Sequence, residues 1–205
     1  MLTASVPSTF RVCRADEFIG PARKWADKLI EQVSKSTAHG RPPIKRLILG
    51  PSGIGKSSLA EFFCQLVAAQ KWCRYEFNGT DFRLEDADDI ERTVHFTNMY
   101  GDYRVIRIEE VDRVPALAQV KMLTLLDNLP PGNAVICTSN CSVKQLEPRF
   151  HRRFQVIELQ PPSNEEVEAF LLNHWPKIGQ ANARQIATFA QGNVGQALMD
   201  AEDLV

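Results

Sequence analysis

The sequence predicts an α/β fold in which a parallel five-stranded sheet carries helices on both faces and is followed by a small α-helical lid domain. Short apolar segments alternate with helical patterns over most of the chain, which is typical of a parallel sheet. After the Pro161-Pro162 pair only helical patterns follow, and the acidic residues behind Ser163 predict a helix start. We therefore predict an α/β domain over residues 1–160 and a helical lid domain over residues 161–205.

Five apolar segments are the predicted strands, and helices are predicted before and between them. The strands are expected at residues 46–49, 74–77, 104–109, 134–138 and 155–159. The helices are expected at about residues 22–33, 56–69, 87–100 and 116–129. In the second helix the apolar residues share one face, which predicts packing on a sheet: Leu59, Phe62, Phe63, Leu66 and Val67.

The composition indicates the general class of protein and argues against some functions. The apolar fraction and mixed charge are those of an ordinary globular protein, and the formal net charge of -1 argues against nucleic-acid binding through bulk positive charge. The five cysteines include no C-x-x-C pair, which predicts reduced thiols of a cytosolic protein. With no secretion signal and no long apolar run, we expect no membrane partner and a cytoplasmic location, or one at a nucleoid or viral replication site.

A glycine-rich loop between the first strand and the second helix predicts phosphate binding. It matches the pattern G-x-x-x-x-G-K-[ST], whose glycines let backbone N–H groups point at phosphate oxygens. Lys56 would neutralise the outer phosphates, and the Ser57 hydroxyl would help to hold Mg²⁺. The residues expected to contact ATP here are Gly50, Pro51, Ser52, Gly53, Ile54, Gly55, Lys56, Ser57 and Ser58.

Paired carboxylates end the third predicted strand. Glu109 is the candidate magnesium ligand, and Glu110 is the candidate residue that orients or deprotonates the attacking water. Two acids after a strand usually form a solvated turn. Together with the phosphate loop, the pair predicts a site for nucleotide hydrolysis.

The chain resembles the AAA+ ATPases, and within them the clamp-loader clade. The resemblance is carried by residues 101–140, above all Glu109-Glu110-Val111-Asp112, Pro130-Pro131-Gly132-Asn133 and Thr138-Ser139-Asn140. Asn78 and Asp81 after the second strand add to it. It extends from Phe18-Ile19-Gly20, similar to the adenine-contacting box, to residues 192–198.

The resemblance implies further site residues, cofactors and partners. Ile19 would contact adenine, Asn140 would place the attacking water, and Arg153 would be an arginine finger for a neighbouring subunit, with Arg149 and Arg152 as competing choices. The cofactors would be ATP and Mg²⁺, and the partners would be other AAA+ subunits with DNA or a DNA-bound protein. The implied activity is ATP hydrolysis in DNA replication, recombination or mobile-element processing.

Three departures from the family pattern bear on activity. Glu109 replaces the usual aspartate, and its extra methylene alters the reach of the carboxylate. Gly195 stands where a lid arginine is expected, and Gln196 cannot supply that charge. The zinc module and helical collar of many clamp-loader subunits are not recognised in the sequence.

Two other functions remain open from the sequence. The departures favour a nucleotide-binding scaffold subunit that hydrolyses little and donates its finger to a partner. A small-molecule kinase would share the phosphate loop but would not need Asn140 or Arg153. A local basic surface is a weaker indication of DNA binding, because no aromatic residues are interleaved with its members: Lys121, Lys144, His151, Arg152 and Arg153.

Overall fold

A computed structural model describes residues 12–68, 70–96, 101–142 and 146–204 of the chain. Within these residues the strands form one parallel five-stranded sheet in the order β2-β3-β4-β1-β5. The predicted parallel five-stranded sheet is thereby confirmed. The strands are β1 (Ile44–Leu49), β2 (Arg74–Asn78), β3 (Arg104–Glu109), β4 (Asn133–Ser139) and β5 (Gln155–Glu158).

Helices cover both faces of the sheet because its strands are apolar on both sides. On one face lie α1 (Gly20–Ala38) and α2 (Lys56–Val67), and on the other lie α3 (Leu84–Val94), α4 (Ala116–Asp127) and α5 (Pro148–His151). Neighbouring residues of β3 alternate between the two resulting cores: Val105 packs with the first pair of helices, and Ile106 with the other helices.

Three helices follow the sheet and share a hydrophobic core of their own. They are α6 (Asn164–His174), α7 (Gln180–Ala190) and α8 (Val194–Glu202). Ser163 caps α6, since its hydroxyl accepts from the Glu166 N–H at 3.2 Å while the Glu166 carboxylate accepts from the Ser163 N–H at 2.8 Å. The division into domains at residue 161 stays a prediction.

Several predicted boundaries were wrong. Helix α1 continues through the polar segment after Val33 to Ala38, because an exposed last turn needs no apolar residues and Lys35 pairs with Glu31 at 2.5 Å. Helix α3 begins at Leu84 rather than at residue 87, since the Asp86 carboxylate accepts from the Arg83 N–H at 2.7 Å and so fixes an earlier start.

Three predicted helix ends also moved. Helix α3 ends at Val94, and residues 97–100 of the prediction lie outside the described residues. Helix α4 ends at Asp127 rather than at residue 129. Helix α2 ends at Val67, and residue 69 again lies outside the described residues.

In the described parts of the chain, no helix combines the length and the apolar character needed to cross a bilayer.

Candidate functional site

The carboxyl ends of three adjacent strands converge on one cleft. The glycine-rich loop follows β1, the paired carboxylates end β3, and Asn140 follows β4; in the sheet order β4 lies between the other two. The cleft has a volume of about 440 Å³, which is in the range of small-molecule sites. Its lining includes the predicted residues Ser52, Gly53, Gly55, Lys56, Ser57, Ser58, Glu109, Glu110 and Asn140.

Lys56 is buried at the start of α2 and joins the loop to the end of β4. Its ammonium donates to the Pro51 carbonyl at 2.6 Å and to the Asn140 side-chain oxygen at 2.7 Å. Burial lowers the pKa of Lys56, while the nearby carboxylates of Asp112, Glu110 and Glu109 oppose that shift. The cation is therefore held in the cleft lining by neutral acceptors.

The two predicted magnesium ligands are in direct contact. The Ser57 hydroxyl donates to Glu109 Oε2 at 2.9 Å, so one hydroxyl and one carboxylate oxygen face the same point. Mg²⁺ in nucleotide sites takes few protein oxygens and completes its shell with phosphates and water. The residues present fit that requirement.

Glu110 has a left-handed backbone and points its carboxylate at Arg113. Its φ is 52°, and its Oε2 lies 2.9 Å from Arg113 Nε. The Glu110 N–H donates to Thr138 Oγ1 at 3.3 Å, which links the turn to β4. Gly79 lies against this turn so closely that a Cβ there would overlap the Glu110 carbonyl. The backbone of the candidate water-orienting residue is thus fixed while its carboxylate is engaged elsewhere.

The start of α8 rests on the glycine-rich loop. The Gly195 N–H donates to the Gly53 carbonyl at 2.9 Å, and the Asn193 side chain, which caps α8, touches Gly53. At this contact Gly195 presents its backbone N–H and has no cationic side chain. The Gln196 side-chain amide donates to the Asp200 carboxylate at 2.7 Å. The departure noted at Gly195 therefore leaves the cleft without a cation from α8.

Some predicted site residues are not part of the lining of the cleft. Gly50, Pro51 and Ile54 belong to the glycine-rich loop but do not line the cleft. Ile19, at the N-cap of α1, packs partly buried against the core of the three C-terminal helices. An adenine contact by Ile19 stays a prediction.

Arg153 lies at the opposite edge of the sheet from the phosphate loop. It precedes β5, and β5 runs parallel to β1, so Arg153 is at the amino ends of the strands. Its guanidinium forms two 2.8 Å contacts with the Asp127 carboxylate at the end of α4. Arg153 is thus far from its own chain's loop, and its role as a finger for another subunit stays a prediction.

Two of the five residues of the predicted basic surface are paired with acidic side chains. Lys121 contacts Asp88 at 2.8 Å and Glu91 at 3.1 Å, and Arg153 is paired with Asp127. Lys144 lies outside the described residues. Arg152 remains exposed.

Sequence reasoning missed several residues that shape the site: Glu61, Gly79, Arg107, Arg113, Thr138 and Asn193. One signal was available, because Arg107 interrupts an apolar strand and a charge in a buried strand requires a partner. The other contacts join residues that are distant in sequence or depend on backbone geometry.

Residues 46–162 match the family model described as ATPase family associated with various cellular activities (AAA). The chain belongs to this family. The match covers the sheet, the glycine-rich loop, the paired carboxylates and Asn140. A comparison with curated proteins gave no match.

Several solved structures are similar in fold to this AAA protein. The structure titled Thermotoga maritima RuvB Holliday junction branch migration motor has a TM-score of 0.73 at 19% identity. A single-substitution variant of the same RuvB has a TM-score of 0.76 at 18% identity. Each match covers 94% of this chain but 64% of the RuvB chain. At this identity the likeness concerns the fold.

Proposed function

We propose that this AAA protein binds ATP with Mg²⁺ in the cleft, hydrolyses it, and acts as one subunit of an assembly on DNA or on a DNA-bound protein. The observation that carries the proposal is the convergence of the loop lysine, the paired carboxylates and Asn140 in a single cleft. The three C-terminal helices would serve as the lid, because α8 contacts the loop directly.

The chemistry would be in-line attack of water on the γ-phosphate. Bound Mg²⁺ would offset charge on the phosphate oxygens, with Ser57 and Glu109 as its protein ligands. Lys56 would exchange its neutral acceptors for the outer phosphates, because charged oxygens accept stronger hydrogen bonds. Glu110 would turn from Arg113 to orient the water, and Asn140 would hold the water beside the phosphate.

The process we propose is DNA replication, recombination or mobile-element processing, with a clamp-loader-like subunit arrangement. Its support is the sequence resemblance over residues 101–140, together with the fold shared with RuvB, a branch migration motor. We propose a cytoplasmic, nucleoid or viral replication site for this work. Because Lys121 is occupied by Asp88 and Glu91, we expect exposed Arg152 to be a better candidate for a DNA contact.

A scaffold subunit that hydrolyses little is the second candidate. The Glu110–Arg113 pair and the glycine at position 195 favour it, since one diverts the water-orienting carboxylate and the other omits a lid cation. Such a subunit would still bind ATP and would donate Arg153 to an active neighbour.

The test combines binding and hydrolysis by the purified protein, with and without duplex DNA. Binding of a fluorescent ATP analogue should be lost in Lys56→Ala. In Glu110→Gln the binding should persist while hydrolysis falls by about 10²-fold or more. The absence of ATP binding by the wild-type chain would refute both candidates.

Two further results separate the candidates. Tight binding with equally negligible hydrolysis by the wild type and Glu110→Gln in every mixture would favour the scaffold subunit. Light scattering with and without ATP and DNA tests assembly. A monomer under every condition would remove the role of Arg153.

A further inference from the structure

A buried arginine contacts the candidate metal carboxylate from inside the protein. Arg107 is 9% exposed and lies two residues before Glu109 on β3, so both side chains leave the same face of the strand toward α2. One guanidinium nitrogen of Arg107 donates to Glu109 Oε1 and lies 3.4 Å from the Ser57 carbonyl. The other carboxylate oxygen, Oε2, accepts from the Ser57 hydroxyl at 2.9 Å.

Helix α2 holds the arginine in place. The second terminal nitrogen of Arg107 donates to Glu61 Oε2 at 2.6 Å. The remaining oxygen of Glu61 accepts from Arg74 and from the Gln65 amide, each at 3.0 Å. Glu61 is therefore fixed from its far side, and the planar fork of Arg107 spans two carboxylates at once.

This arrangement restrains the orientation of the Glu109 carboxylate, which the extra methylene would otherwise leave freer. A glutamate has one more rotatable bond than an aspartate, so an unrestrained carboxylate would sample more orientations at the cleft. Arg107 takes Oε1 and leaves Oε2 beside Ser57. Because Glu61 contacts the guanidinium directly, the arginine charge is compensated and does not face the cleft as an unpaired cation.

We propose that Arg107, anchored by Glu61, is a positioning residue that aims Glu109 at the magnesium site. This inference rests on the proposed function, because it concerns the same nucleotide cleft. It assigns a role to a residue that contacts the proposed metal ligand but does not itself line the cleft. It also explains how a glutamate can stand at the metal position of this chain.

The experiment measures magnesium dependence of nucleotide binding rather than hydrolysis. A fluorescent ATP analogue is titrated in EDTA and then at increasing MgCl₂. Arg107→Lys keeps the charge, but a single ammonium cannot span Glu61 and Glu109 as the fork does. We expect affinity in EDTA close to that of the wild type and a MgCl₂ concentration for half-maximal enhancement raised by about tenfold or more.

A matched control and a rescue make the test specific. Arg104→Lys replaces another buried arginine of β3, which contacts the Phe96 carbonyl away from the cleft, and should leave the magnesium dependence unchanged. Adding Glu109→Asp to Arg107→Lys should move the magnesium dependence back toward the wild type, because a shorter carboxylate needs less restraint. Thermal unfolding verifies that each variant is folded, and Glu61→Gln, which weakens the anchor, replaces Arg107→Lys if that variant does not fold.

The outcomes distinguish a failure of the positioning role from a failure of nucleotide binding. Unchanged magnesium dependence in folded Arg107→Lys or Glu61→Gln would overturn the positioning role while leaving nucleotide binding intact. An equal shift in Arg104→Lys would overturn it as well, since the effect would then be general destabilisation. No nucleotide binding by the wild type in either EDTA or MgCl₂ would overturn the proposed function, and this inference with it.

Discussion

A 2.7 Å hydrogen bond joins the ammonium of Lys56 to the side-chain oxygen of Asn140, and so connects the loop after β1 to the end of β4. The same ammonium donates to the Pro51 carbonyl at 2.6 Å. Both acceptors are neutral, so phosphate oxygens would compete well for the cation. Nucleotide entry would therefore change the surroundings of Asn140, and this contact couples phosphate binding to the residue proposed to hold the water.

Asn140→Ala should separate hydrolysis from binding. The variant loses the amide that would hold the water, so we expect ATP hydrolysis to fall by about 10²-fold. ATP affinity should change little, because Lys56 and the loop backbone remain. Steady-state hydrolysis and fluorescence binding provide the measurements, and Asn128→Ala, an exposed asparagine at the end of α4, is the control. Hydrolysis at the wild-type rate would exclude Asn140 from the reaction.

Arg113→Ala should raise hydrolysis by releasing the Glu110 carboxylate. The pair is partly exposed, and such pairs are worth about 0.2–1 kcal/mol, so the gain should stay within about fivefold. The double variant Glu110→Gln/Arg113→Ala should remain as slow as Glu110→Gln alone. Arg92→Ala, which breaks an exposed pair with Asp89 on α3, should have no effect. A lower rate in Arg113→Ala would show that the arginine assists the reaction instead of restraining it.

Asp127 and Arg153 should govern activity between subunits. If Arg153 is the finger, it must exchange Asp127 for a neighbour's phosphate, so Asp127→Asn should raise hydrolysis in the assembled state and leave dilute protein unchanged. Arg153→Ala should abolish the assembly-dependent rate.

Mixing experiments identify the finger. Arg153→Ala subunits keep their own cleft, and Lys56→Ala subunits keep their finger, so a mixture should recover part of the activity that neither has alone. Arg149→Ala and Arg152→Ala are tested in the same mixtures, because they are the competing candidates. Recovery only with one of those variants would transfer the role away from Arg153.

The elements that carry a periodic or motif pattern were predictable from sequence. Strand β3 was predicted with its observed bounds, because the apolar residues Val105, Ile106 and Ile108 mark it and acids end it. The glycine-rich loop was predicted because its pattern has a local physical cause. The convergence of the loop, Glu109 and Asn140 agrees with the rule that parallel strands end at one edge, although only the family resemblance had pointed to Asn140.

Contacts between distant residues were not predictable. The Glu61–Arg107 pair joins α2 to β3 across 46 positions, and either residue alone is compatible with a solvated charge. The contact of Glu110 with Arg113 depends on a left-handed backbone that a glutamate rarely adopts. The end of α1 was missed because its last turn faces solvent and has no apolar periodicity.

Gly53→Ala should displace α8 from the phosphate loop. Gly53 has a φ of 79°, and a Cβ there would overlap the Asn193 side chain that caps α8. Strain and overlap together should lower the free energy of unfolding by about 1–3 kcal/mol. ATP affinity should fall as well, because the loop and α8 share the cleft. Chemical unfolding and fluorescence binding measure the two effects.

A double-variant cycle and a matched glycine separate overlap from backbone strain. Gly40 has a similar φ of 82°, and a Cβ there would meet no atom of the described residues within 4 Å, so Gly40→Ala should carry the strain alone. Asn193→Ala removes the amide that a Cβ at position 53 would meet, so Gly53→Ala/Asn193→Ala should cost less than the sum of its single variants. Equal losses in Gly53→Ala and Gly40→Ala, with additive effects in the cycle, would mean that Asn193 does not press on the loop. The position of α8 would then have no effect on nucleotide binding through this contact.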